Sequence, residues 1–180
     1  EWDGNDWTRR TAANPPPKRS RHTVAYDSQR RNIVIFGGGD GSGSRLDRTW
    51  TWDGSTWRSF RPSTSPSHRE GAVMAYDAAR QRTLLFGADF GHLSDTWEWD
   101  GTRWIERQAA ASAPPVGHAA LAYDEANQET LLFGGRGHWS LPLSNQTWTL
   151  DASGWTKQAP ALAPHARQGA SMAYDTHRRR

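Results

Sequence analysis

Six of the seven histidines, His22, His68, His92, His118, His138 and His165, fall in long polar segments, and Arg21, Arg69, Arg136 and Arg167 accompany them. Three kinds of chemistry suit such a set. Guanidinium and imidazole groups gathered at one mouth receive an anion, such as a carboxylate or an acidic peptide. Histidines at tight spacing hold a metal, but no run such as His-x-Glu-x-x-His occurs. Either residue also bonds the carbonyls of its own loop, which is a structural role. Other chemistries find no support. There is no cysteine, hence no disulfide, thiolate metal site or cysteine nucleophile. Gly37-Gly38-Gly39-Asp40-Gly41 could cradle a phosphate, yet no Lys-Ser/Thr follows. No nucleophile–base pair or carboxylate pair stands out, and neither a cofactor nor a metal is implied.

What positions these residues is a repeat. The pairs Tyr26-Asp27, Tyr76-Asp77, Tyr123-Asp124 and Tyr174-Asp175 are 50, 47 and 51 residues apart. Trp7, Trp57, Trp104 and Trp155 keep the same steps. Two markers in phase over 180 residues define units of about 50. Each unit holds four strand-like runs. In the second unit these are run a at 71–76, run b at 83–86, run c at 96–99 and run d from Trp104. Asp100-Gly101 between c and d is a tight-turn signal, as are Asp3-Gly4 and Asp53-Gly54. The fourth equivalent, Asp151-Ala152-Ser153-Gly154, reads as a longer variant. Run c alternates, with Trp50 and Trp52 on one face. The prolines cluster between run d and the next run a, where a chain needs no regular structure.

The succession His22, Tyr26-Asp27, Phe36-Gly37-Gly38, Asp47-Arg48-Thr49-Trp50 and Trp57 resembles the kelch signature. It recurs with Phe86-Gly87, Asp95-Thr96-Trp97 and Trp104, then with Phe133-Gly134-Gly135, Thr147-Trp148 and Trp155. Ala88 replaces a glycine, and Asn145-Gln146 stands where the other copies carry Asp47 and Asp95. Sialidase Asp-boxes are a near miss, because Asp53-Gly54 lacks their intervening residue. The resemblance implies an all-β, kelch-type β-propeller with three complete four-stranded antiparallel blades and partial blades at each end. The divisions are 1–15 (strands c and d), 16–63, 64–110, 111–161 and 162–180 (one further strand), fifteen strands altogether. Ten of the eleven Trp then pack between blades. Further blades or self-association would complete the ring.

Antiparallel order puts the b–c and d–a segments on one face, where length varies and function is usually carried. That face holds the candidate ligand residues Arg21, His22, His68, Arg69, His92, His118, Arg136, His138 and His165. Trp139, the one Trp outside the repeat, joins them on the longest b–c segment, where it would stack on a sugar or anchor a peptide. Arg30, Arg31, Arg80, Arg82 and 178–180 lie on the opposite side and read as solvated turn charges.

The leading expectation is a binding or scaffolding module for a protein or a small acidic ligand. The alternatives are a non-copper carbohydrate-active enzyme fragment, similar to a sialate epimerase or a lyase, and a purely structural spacer. A galactose-oxidase-like copper site would need a Cys-linked Tyr, and there is no Cys. The formal charge of +3 gives no nucleic-acid footprint. No apolar run reaches the ~20 residues of a membrane helix, and Glu1-Trp2-Asp3-Gly4 does not read as a signal peptide.

Overall fold

The computed structural model describes residues 1–108, 111–138 and 140–180. Among them are twelve strands and no helix, arranged as three four-stranded antiparallel sheets, none of them closed. Sheet I contains β1 (Thr23–Asp27), β2 (Asn32–Phe36), β3 (Thr49–Trp52) and β4 (Trp57–Phe60). Sheet II contains β5 (Val73–Asp77), β6 (Arg82–Ala88), β7 (Leu93–Trp99) and β8 (Trp104–Glu106). Sheet III contains β9 (Ala120–Asp124), β10 (Glu129–Phe133), β11 (Thr147–Leu150) and β12 (Trp155–Lys157). Each sheet is a meander in chain order, with β1, β5 and β9 at one edge.

The second strand of the middle sheet, β6, is apolar on both faces because both are covered. Leu85 of β6 packs toward sheet I with Val34, Phe36, Met74, Trp97, Trp99 and Trp104. Leu84 and Phe86, on the other face of the same strand, pack with Val116, Leu132, Leu150 and Trp155 of the third unit. Small residues on the edge strands and just before them, among them Ala72, Ala75, Ala119 and Ala120, let neighbouring sheets approach closely.

The tryptophans also join the sheets through hydrogen bonds. The Trp104 indole N–H donates to Thr49 Oγ1 at 2.7 Å, and Trp155 donates to Thr96 Oγ1 at 3.0 Å. Each bond therefore runs from the fourth strand of one sheet to the third strand of the sheet before it.

Several expectations are revised. At the N-terminus, Trp2 and Trp7 share one isolated antiparallel bridge and remain 52% and 75% exposed, so no strand pair forms there. Residues 169–174 are not a strand, having no neighbouring strand to complete their hydrogen bonds among the described residues. The Asp151 turn is not longer than the others. Its carboxylate accepts from the amides two and three residues on, as Asp53 and Asp100 do, with glycine merely moved within the turn. Ala88 keeps the glycine geometry, with φ 83° beside 93° at Gly38 and 85° at Gly135.

Gln146 takes over an acceptor role. Its Oε1 accepts from the Trp148 indole at 3.1 Å, as Asp95 Oδ2 accepts from Trp97 at 2.7 Å. In sheet I the same position, two residues before Trp50, is Arg48, because Asp47 lies one residue further away. The buried Trp50 indole N–H accordingly has no partner among the described residues. We expect Arg48→Asp to supply that acceptor and raise stability by about 1 kcal/mol. Urea unfolding tests this, and an unchanged or lower midpoint would contradict the assignment.

The first face of sheet I has no covering sheet among the described residues. Val24 and Tyr26 are 50% and 56% exposed, whereas Met74 and Tyr123 at the equivalent positions of sheets II and III are 7% and 8% exposed. On the a–b turns, Arg30, Arg80 and Arg178 pair with Asp27, Asp77 and Asp175 of their own turns, which accounts for much of the charge there.

Candidate functional site

The segments that enter the first strand of each unit are tied to one another by main-chain bonds. Six residues before each turn aspartate lies a residue of positive φ: Arg21 (53°), Gly71 (69°), His118 (54°) and Gly169 (68°). Gly71 N–H donates to Arg21 O at 2.9 Å, His118 to Gly71 O at 2.9 Å, and Gly169 to His118 O at 2.7 Å. This relay places one residue from each unit side by side at the common edge of the sheets.

A second set of bonds lies two residues earlier. The N–H groups of Gly38, Ala88 and Gly135 donate to the carbonyls of Arg69, Val116 and Arg167 in the next unit. Arginine recurs here at Arg19, Arg69 and Arg167, eight residues before the turn aspartate. The Nε–H of each donates to the carbonyl two residues back, Pro17, Ser67 or His165. Arg69 is 1% exposed, and its guanidinium grips both oxygens of Asp95 at 2.7 and 2.8 Å. Its position makes Arg69 a buried packing element, not a surface that a ligand reaches.

The four histidines of these segments occupy four different places in the repeat. Counted back from the turn aspartate, His22 is five residues away, His118 six, His68 nine and His165 ten. They are not a repeated structural feature, and only His118 reaches the central cavity.

That cavity, about 400 Å³, opens where the relay meets the loops after β6 and β10. Arg21, His118, Arg136, Phe90 and Gln168 line it, with Gly117, Gly137 and Gly169 completing its wall. Three of the sequence-predicted residues, Arg21, His118 and Arg136, are thus brought together. His22, His68 and His165 are exposed outside it. His92 and His138 sit on adjacent loops with ring centroids 4.9 Å apart, and His138 Nδ1 lies 2.8 Å from Ser140 Oγ. Trp139 lies outside the described residues. Glu70, Phe90 and Gln168 were not foreseen, since nothing repeated or chemically unusual marks them in the sequence.

The charges in and around the cavity differ in their commitments. Arg21 pairs with Glu70 at 3.0 Å. Arg45 pairs with Asp89 at 3.0 Å and lies over the Phe90 ring at 4.8 Å. Arg136 has a fixed main chain, exchanging both hydrogen bonds with Gly117 at 2.8 and 2.9 Å. Its side chain makes no hydrogen bond or ion pair among the described residues, and its Nε is buried. Burial, and then the Arg21 charge, lower the His118 pKa below its usual value, with Glu70 opposing. The imidazole is therefore neutral at pH 7 and offers one N–H and one acceptor. Among the described residues no three metal-ligating side chains converge, and no helix is long and apolar enough to cross a membrane.

The lack of a side chain at Gly71 leaves the room that the His118 ring occupies. A Cβ at Gly71 would stand 2.7 Å from His118 Cε1 and 2.9 Å from Nε2, at a φ that already strains any L-residue. Gly71→Ala is expected to displace the imidazole and cost about 1 kcal/mol in backbone strain. An unchanged His118 ring resonance in the NMR spectrum of that variant would refute this.

No protein family matches the chain, and no curated protein matches it.

Proposed function

We propose that the chain is part of a kelch-type β-propeller and serves as a binding module, taking a small acidic ligand or an acidic protein segment on the face of the b–c and d–a loops. The in-phase repeat, the regular inter-sheet bonds and the uncovered face at Val24 and Tyr26, which suits a further blade, support the propeller. One observation carries the binding role: the Arg136 guanidinium borders a cavity of about 400 Å³ with no partner of its own among the described residues. A cation held in a partly water-excluded cleft attracts an anion more strongly than one at the open surface.

The test is a calorimetric and thermal-shift screen against carboxylates, inorganic phosphate, acidic peptides and acidic glycans. Saturable 1:1 binding, weakened at least tenfold in Arg136→Gln with unchanged circular dichroism, is expected. Binding that is indifferent to that substitution would move the ligand elsewhere. Turnover of a glycan would replace the module with an enzyme.

A further inference from the structure

We infer that the central cavity selects a ligand with a single carboxylate on a small, uncharged, partly apolar body, over dianions and polyanionic peptides; this rests on the cavity's being the binding site. Arg136 brings one positive charge that nothing else neutralises among the described residues. Arg21, across the cavity, is already held by the Glu70 carboxylate at 3.0 Å. His118 is neutral at pH 7, Gln168 carries no charge, and Gly117, Gly137 and Gly169 offer only main chain. The wall therefore carries a net charge of about +1. One carboxylate matches it, and a second anionic group would find no uncommitted counter-ion among the described lining residues, Arg21 being held by Glu70.

Shape and chemistry agree with the count. A guanidinium presents parallel N–H groups that fit the two oxygens of a carboxylate. The neutral His118 ring supplies one further donor, and Gln168 both a donor and an acceptor. Half-buried Phe90 gives the cavity an apolar side. At about 30 Å³ per water, 400 Å³ holds about a dozen water-sized groups, enough for a ring or short chain bearing one acid.

The groups facing His118 are Arg21 and Glu70, with Arg136 on the same cavity wall. As pH falls below neutrality the imidazole gains a proton, the wall gains a second positive charge, and anion affinity rises. That rise should disappear in His118→Gln.

The experiment titrates the whole chain with benzoate, benzyl alcohol, phthalate, inorganic phosphate and a tetra-aspartate peptide at pH 7. Benzoate is expected to bind at least tenfold more tightly than any of the others. Arg136→Gln should weaken it at least tenfold, and Arg136→Lys, which keeps the charge but not the fork, about fivefold. Glu70→Gln frees Arg21 and should raise phthalate affinity at least fivefold, a gain that a misfolded variant cannot give. Phosphate or peptide binding that depends on Arg136 and exceeds that of benzoate would overturn the single-carboxylate assignment and leave the binding module standing. Failure of every anion in the panel to bind would remove both.

Discussion

Trp104→Ala is expected to lower the unfolding free energy by about 4 kcal/mol. The indole is 2% exposed. Its ring meets Phe36 edge-on with centroids 5.4 Å apart and Trp99 at 5.3 Å. Its N–H donates to Thr49 Oγ1, and Thr49 is fully buried. Truncation thus opens a cavity between sheets I and II and strands a hydroxyl. The two effects separate in Trp104→Phe, which keeps much of the packing, loses the hydrogen bond and should cost about 1 to 2 kcal/mol. Trp57, at the same repeat position in sheet I, is only half-buried, and Trp57→Ala should cost clearly less. Urea unfolding of the three variants decides the matter. Equal losses at Trp57 and Trp104 would mean that the tryptophan stabilises its own sheet and not the junction.

Arg69→Met should cost about 3 kcal/mol for a different reason. The guanidinium is wholly buried and satisfies Asp95 twice, Ser67 twice and the Gly87 carbonyl. Removing it leaves the Asp95 carboxylate with the Trp97 indole alone, and breaking a buried pair from one side is strongly destabilising. The acid limb of the stability curve reports on the same bond. Burial by itself would raise the Asp95 pKa, but the hydrogen bonds and charge of Arg69 and the bond from Trp97 hold it below the ordinary 3.8. A depressed folded value means that the stabilisation is fully present above about pH 4 and fades as pH drops through the folded value. Arg69→Met should lose this acid-sensitive part, so its deficit against the parent shrinks as pH is lowered toward 2. A deficit constant from pH 7 to pH 2 would show that the packing of the arginine stem, not the ion pair, carries the effect.

Much of the fold could be read beforehand from particular residues. Asp53, Asp100 and Asp151 each nucleate a turn through amides two and three residues away, a purely local interaction. The alternation at Trp50-Thr51-Trp52 and the apolar runs of β6 and β10 likewise announce strands. The site was less legible. Arg69 and Arg136 are both arginines on connecting segments of the same face, and residue type alone does not separate them. One ends buried against Asp95, 26 residues on, and the other borders a cavity unpaired. Asp47 seemed equivalent to Asp95, yet one extra residue before Trp50 removes it from that role and leaves the indole unsatisfied.

By itself the sequence determined the period, the four strand-forming runs of each complete unit and the aspartate turns, because these depend on contacts within a few residues. Only the tertiary structure decided which cations are free, that the Trp104 and Trp155 indoles bond across sheets, and that Arg21, His118 and Arg136 share one cavity. Those outcomes arise from residues distant in sequence, 55 positions for Thr49 and Trp104 and 59 for Thr96 and Trp155, brought together when the sheets stack, and no local pattern of residue types encodes which of them will meet.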